Sequence, residues 1–167
     1  MTAPTEIRVR LATADDLPAI RTIYNHYVVT STCTFQLEPD TESERLAWFR
    51  DRSPAHPVVV ADAGGEVVGW AALSAWNKRA AYARSVEASV YVRADARGRG
   101  VGRALLADLV ERAKALGHHV VIGGACTEHA ASIRLLEALC FEQVACFREV
   151  GHKFGRWLDV AYLQRVL

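Results

Sequence analysis

The sequence lacks a long hydrophobic run, a close cysteine pair and an excess of charge of one sign. No stretch approaches the roughly 18 consecutive apolar residues that a membrane-spanning helix needs. The first six residues also lack the basic segment followed by an apolar one that an export signal carries. We therefore expect a protein with no membrane partner that resides in the cytoplasm.

The few cysteines and the balanced charge exclude further classes. The four cysteines have no C-x-x-C spacing, and the histidines form no metal-ligand pattern, so we interpret the cysteines as reduced thiols and expect no bound metal. A formal net charge of +1 provides no broad basic surface, and we expect no nucleic-acid partner.

The composition is that of one globular domain, which we assign to residues 1–167. Period-2 and continuous apolar runs predict strands over residues 7–11, 58–61, 67–73, 86–92, 120–122, 143–150 and 158–163. Apolar residues at three- and four-residue steps predict helices over 15–27, 41–52, 101–116 and 130–139. A glycine-rich turn at 62–65 predicts an antiparallel hairpin. The order indicates an α+β fold with one βαβ step late in the chain.

The most informative stretch is an arginine- and glycine-rich turn between a predicted strand and a predicted helix. The turn comprises Arg97, Gly98, Arg99, Gly100, Val101, Gly102 and Arg103. Glycines let the backbone approach a ligand closely, and a helix N-terminus presents free N–H groups and the positive end of its dipole. Arginines add bidentate donors for phosphate. The turn therefore predicts an anion site, although a merely tight structural loop remains the alternative.

Two common nucleotide motifs do not fit this turn. A Walker A loop requires four residues between its glycines and then Lys-Ser/Thr. A dinucleotide fingerprint requires G-x-G-x-x-G in the first βαβ unit. Neither spacing occurs here.

The pattern Arg97-x-x-Gly100-x-Gly102 after Val90-Tyr91-Val92 resembles the acetyl-CoA signature of the GCN5-related N-acetyltransferases (GNAT superfamily). Within that superfamily the chain is most similar to the phosphinothricin and methionine sulfoximine acetyltransferases. The supporting stretches are 23–25, 34–35 with 38–39, 76–78, 87–92 and 151–160. The resemblance implies the GNAT fold, with a mixed, mostly antiparallel sheet of about seven strands and about four flanking helices. It also implies a homodimer.

The resemblance assigns roles to residues at matching positions. It implies that acetyl-CoA is bound by the turn amides and by Val90, Tyr91 and Val92, with His129 as a further contact. Glu87 matches the general base, because acetyl transfer needs a neutral amine; a solvent-facing strand residue is the alternative. Backbone N–H groups near Val92 are expected to polarise the thioester carbonyl. The positions that match substrate contacts are Phe35, Trp76, Asn77, Lys78, Val86 and Glu87, with ordinary packing as their alternative.

Two positions depart from the family pattern. His129 stands where relatives commonly have Asn or Asp. Leu136 stands where relatives place a Tyr or His that protonates the leaving thiolate, so this proton has no evident donor. Lys153 and Arg156, in the turn over 151–156, are interpreted as solvated rather than as ligands, and the alternative is that in a dimer this turn borders the site of the neighbouring protomer.

The sequence therefore favours acetyl transfer from acetyl-CoA to the α-amino group of a small amino acid or analogue, such as methionine sulfoximine or phosphinothricin. Two alternatives stay open. One is the same chemistry on another amine, such as a polyamine or a peptide N-terminus. The other is a CoA-binding sensor without catalytic activity.

Overall fold

A computed structural model describes residues 6–167. The expectation that the chain has no export signal rests on residues 1–6, and residues 1–5 lie outside the described residues. The strands are β1 Ile7–Leu11, β2 Val58–Ala63, β3 Glu66–Ala75, β4 Ser85–Val92, β5 Val120–Cys126, β6 Glu142–Lys153 and β7 Arg156–Val166. The α-helices are α1 Leu17–Thr30, α2 Glu42–Arg50, α3 Val101–Ala115 and α4 Ala130–Glu137. Within this part of the chain, no helix is long and apolar enough to cross a membrane.

The strands of residues 6–167 form one mixed sheet in the order β1-β2-β3-β4-β5-β7-β6. Only the β4–β5 pair is parallel, and every other neighbouring pair is antiparallel. The predicted α+β class and the mostly antiparallel mixed sheet are therefore confirmed.

The sheet carries a hydrophobic core on each face, because alternate residues of a strand point to opposite sides. Val59 and Ala61 of β2 face the core that contains α3 and α4. Val58 and Val60 of the same strand face the core that contains α1 and α2. The continuous apolar run of β2 is explained by burial on both faces.

Glycines with positive φ form two of the turns between elements. Gly64 and Gly65 adopt φ values of 68° and 92° and close the β2–β3 hairpin. The backbone N–H of Gly65 donates to Asp62 Oδ1 at 2.7 Å. Gly117, with φ 78°, follows the last turn of α3.

The largest differences from the prediction lie at the ends of α1 and in the last hairpin. Helix α1 continues to Thr30, because Val28 is buried in the fold and Thr30 Oγ1 donates back to the His26 carbonyl at 2.5 Å. Strands β6 and β7 turn through Phe154 and Gly155 alone, both at positive φ, so the predicted six-residue turn is wrong.

Candidate functional site

A cleft opens where β4 and β5 separate. The parallel pairing covers only Ser85↔Val120, Val86↔Val121 and Glu87↔Ile122. Beyond these pairs β4 stays on β3 as far as Val92, whereas β5 follows β7 to Cys126. The two halves of the sheet thus diverge, and the gap between them leads from Glu87 towards the start of α3.

The far end of β4 exposes backbone polar groups to this cleft. The Ser85 carbonyl accepts from Trp76 N–H, and Arg93 N–H donates to the Val68 carbonyl at 2.8 Å, so odd-numbered residues bond to β3. The polar groups of Val90 and Val92 therefore point the other way, into the cleft. The Val92 carbonyl accepts a hydrogen bond from the Tyr27 hydroxyl. Within residues 6–167, β5 supplies no partner for the amides of Val90 and Val92, because the β4–β5 pairing ends at Glu87.

The predicted anion turn has the geometry that an anion needs. Gly98 and Gly100 have φ values of 72° and 81°, and Gly100 is the N-cap of α3. Among residues 6–167, no atom accepts a hydrogen bond from the backbone N–H groups of residues 98–103. A row of free amides at a helix N-terminus fits a pyrophosphate.

A cavity of about 380 Å³ lies between this turn, β4 and α4. Its lining includes most of the predicted cofactor residues, namely Val90, Tyr91, Val92, Arg97, Gly98, Gly100, Val101, Gly102, Arg103 and His129. Arg99 is exposed and is not part of the lining. The structure thus brings all of these predicted residues except Arg99 together around one cavity.

Tyr27 is a residue of this site that the sequence reasoning missed. Arg97 donates to the Tyr27 hydroxyl from Nε at 2.9 Å and from Nη2 at 2.6 Å, and this hydroxyl in turn donates to Val92. Tyr27 therefore ties the turn to β4. Tyr27 stands at the end of the helix predicted over 15–27, and nothing in the local pattern distinguishes its hydroxyl.

A second cavity, of about 340 Å³, adjoins the first and contains Glu87. The two cavities share Cys33, Val90, Tyr91, His129, Ser132 and Leu135 in their linings. Glu87 is half-buried, and burial raises the pKa of its carboxyl group. Tyr162 also lines this cavity, and its pKa is raised by burial and then by the charge of Glu87. A carboxylate with a raised pKa, in a cavity that adjoins the predicted anion turn, is suited to accept a proton.

The predicted substrate contacts divide into three groups. Phe35 lines the Glu87 cavity. Trp76 does not line this cavity, but its ring packs edge-on against Tyr162, with ring centroids 5.5 Å apart. Asn77 and Lys78 are exposed and do not line the cavity either. Val86 is fully buried in the core beneath α3, because it points to the opposite face of β4 from Glu87. The prediction that the Val86 side chain contacts substrate is therefore wrong.

The two departures from the family pattern both lie at the cavities. His129 Nε2 is 2.9 Å from Thr32 Oγ1, which also donates to Glu128 Oε2. Burial lowers the pKa of His129, Glu128 opposes this shift, and Arg97 adds to it. Leu136 lines the Glu87 cavity and packs on Gly123, where an added Cβ would be 2.6 Å from Leu136 Cδ2.

Lys153 differs from its prediction. Its side chain is 2% exposed, and Nζ donates to the carbonyls of Ser31 and Thr34, both at 2.8 Å. The interpretation as a solvated residue is wrong, because strand β6 extends to Lys153 and turns its side chain under the loop that follows α1. Arg156 is exposed, as predicted, and forms an ion pair with Glu128.

Residues 6–167 contain no group of three or more His, Cys, Asp or Glu side chains that could hold a metal ion. The four cysteines are free thiols.

The chain matches the family model described as acetyltransferase (GNAT) family over residues 20–141. It is 43% identical to an L-methionine sulfoximine/L-methionine sulfone acetyltransferase of Pseudomonas aeruginosa, covering 93% of this chain and 92% of that protein. It is 39% identical to a phosphinothricin N-acetyltransferase of Streptomyces coelicolor over the full length of both. A crystal structure of a phosphinothricin acetyltransferase from Sinorhizobium meliloti in complex with acetyl-CoA superposes with a TM-score of 0.93 at 40% identity, covering 96% of this chain and 88% of that chain.

Proposed function

Because the chain belongs to the GNAT acetyltransferase family, we propose that it transfers the acetyl group of acetyl-CoA to the α-amino group of a small amino acid or analogue, of the methionine sulfoximine or phosphinothricin type. The observation that supports the proposal is that Glu87 lines a cavity adjoining the one lined by the predicted anion turn. The relatives named above, which act on such compounds, supply the substrate class.

Acetyl-CoA would be held by residues that line the cavity of the predicted anion turn. The free amides of residues 98–103 would bind the pyrophosphate, and Arg97 and Arg103 would add positive charge beside them. The cleft-facing amides of Val90 and Val92 would pair with the pantetheine arm, as an added strand would. The cosubstrate supplies the acetyl group as an activated thioester.

Glu87 would act as the general base. An α-ammonium group is largely protonated at neutral pH and cannot attack a carbonyl carbon until it loses a proton. Because the pKa of Glu87 is raised, it lies nearer to the pKa of the substrate ammonium group. Proton transfer from the ammonium group to the carboxylate is therefore less unfavourable. A backbone amide of β4 would stabilise negative charge on the carbonyl oxygen.

The departing thiolate would take its proton without help from Leu136, because the leucine side chain has no acidic proton. A thiol with a pKa near 8.5 is a moderate leaving group, and the cavities are open to water, so solvent can supply this proton.

We also propose that the protein is a cytoplasmic homodimer without nucleic-acid or membrane partners. The last hairpin supports the dimer, because exposed Val144, Phe147, Val150, Phe154 and Trp157 are concentrated in it.

The test is a panel assay of thiol release from acetyl-CoA with methionine sulfoximine, phosphinothricin, free amino acids, spermidine and a short peptide. Release with methionine sulfoximine or phosphinothricin, at the highest kcat/KM of the panel, is the expected result. Preference for spermidine or the peptide would replace the substrate class. Acetyl-CoA binding in calorimetry with no release for any amine would indicate a sensor.

A further inference from the structure

We propose that Gly151 and Lys153 are positioning residues that set the place of the acceptor loop over the Glu87 cavity, and thereby the affinity for the amine. The acceptor loop is defined as residues 31–35, between α1 and the segment that leads to α2. The inference rests on the proposed function for its kinetic consequences, but its structural part can be measured without any activity.

The first observation is the bond pattern of Lys153. Its buried ammonium group spans the loop by donating to the carbonyls of Ser31 and Thr34, both at 2.8 Å. Ser31 directly follows the last residue of α1, where a positive charge also interacts favourably with the helix dipole. A buried cation that bonds both ends of a short loop fixes the loop against strand β6.

The second observation is independent of charge. Gly151 lies two residues before Lys153, on the same face of β6, and the Phe35 ring rests against it. A Cβ added at Gly151 would be 2.1 Å from Phe35 Cε2 and 2.6 Å from Cδ2. The φ of Gly151 is not in the left-handed region, so the backbone does not require glycine there. Glycine is needed because the ring occupies the space of a side chain.

The acceptor loop, which contacts Gly151 and Lys153, forms one wall of the Glu87 cavity. Four of the five loop residues, Thr32, Cys33, Thr34 and Phe35, line the Glu87 cavity, whereas two, Ser31 and Cys33, line the cavity of the anion turn. A shift of the loop therefore changes the Glu87 cavity more than it changes the cavity of the anion turn. The expected signature is a higher KM for the amine, with the KM for acetyl-CoA little altered.

A double-mutant cycle tests the Gly151 contact. Gly151→Ala should raise the KM for the best acceptor of the panel at least fivefold, with kcat and the KM for acetyl-CoA within twofold of the parent. Phe35→Ala removes the ring that the new methyl group meets. In the Phe35→Ala background, Gly151→Ala should therefore change the acceptor KM less than twofold. An equal effect in both backgrounds overturns the contact.

Thiol labelling tests Lys153 and does not depend on turnover. Cys33 is half-buried in the loop, so its labelling rate per thiolate, followed by peptide mass spectrometry over a pH series, reports how well the loop is held. The rates are compared per thiolate because burial raises the pKa of the Cys33 thiol and the charge of Lys153 opposes this shift, so removal of that charge would by itself slow labelling. Lys153→Met should accelerate Cys33 labelling at least fivefold relative to the parent and to Lys114→Met, which removes an exposed lysine of α3. Unchanged labelling overturns the role of Lys153. If the parent acetylates no amine, the proposed function fails, yet labelling still decides whether the loop is held as inferred.

Discussion

At the scale of single residues, the function depends most on the environment of Glu87. The carboxyl group is half-buried, and burial raises its pKa above the ordinary value of 4.5. Glu87→Gln keeps the shape but cannot accept a proton, so we expect kcat to fall by about 10²- to 10³-fold. The KM for acetyl-CoA should be unchanged. Steady-state kinetics with both substrates measure this, and a loss below threefold would exclude Glu87 as the base.

The same group predicts the pH dependence of kcat. Only the ionised carboxylate can accept a proton, so the rate must decrease as the pH falls through the pKa of Glu87. Because this pKa is raised, the decrease begins at a higher pH than an exposed glutamate would give. Activity measured from pH 4.5 to 8 should show this acidic limb in the parent, and the residual activity of Glu87→Gln should lack it.

Leu136 predicts a gain of activity. Its side chain lines the Glu87 cavity, and a histidine of similar volume at this position could donate a proton to the leaving thiolate. If protonation of the thiolate limits turnover, Leu136→His should raise kcat several-fold. A melting curve checks that packing on Gly123 survives the change. A correctly folded variant that turns over more slowly than the parent would contradict the idea.

At the scale of elements, the turn that begins α3 should affect only the cosubstrate. Gly100 has φ 81°, and alanine there costs about 1–2 kcal/mol of backbone strain. Gly100→Ala should therefore disturb the row of amides and raise the KM for acetyl-CoA about tenfold, with the acceptor KM nearly constant. Gly65→Ala is the matched control, because Gly65 has φ 92° and equally open surroundings but lies in the β2–β3 hairpin. Equal effects of the two variants would refute a specific role of the turn.

This turn could be predicted from the sequence because its signal is local. Glycines, arginines, a preceding strand and a following helix all lie within about 20 residues. Because side chains alternate between the two faces of a strand, Val86 and Glu87 point to opposite faces of β4. The prediction that both contact substrate was therefore inconsistent with the sequence pattern. Lys153 and Tyr27 are different cases. Their partners lie 119 and 65 residues away in the sequence, so only the fold shows that one holds a loop and the other a strand.

At the scale of the whole molecule, β6 presents a long edge. It is the last strand of the sheet, it runs for 12 residues, and most of its residues are exposed. Bulges interrupt its pairing with β7 between Gln143 and Ala145 and between Phe147 and Gly151. An exposed edge with large apolar side chains favours association, and a second copy of the chain is the partner that we propose.

A charge on this edge should separate the protomers. Phe147 is 50% exposed on β6, and Leu11 is 52% exposed on β1, at the opposite edge of the sheet. In a dimer that buries β6, Phe147→Glu would desolvate a carboxylate without a partner, which costs several kcal/mol, whereas Leu11→Glu would stay in water. Sedimentation velocity should give twice the 18.4 kDa chain mass for the parent and for Leu11→Glu, and the chain mass for Phe147→Glu. A monomeric parent would contradict the proposed dimer, and dissociation of Leu11→Glu alone would move the interface to β1.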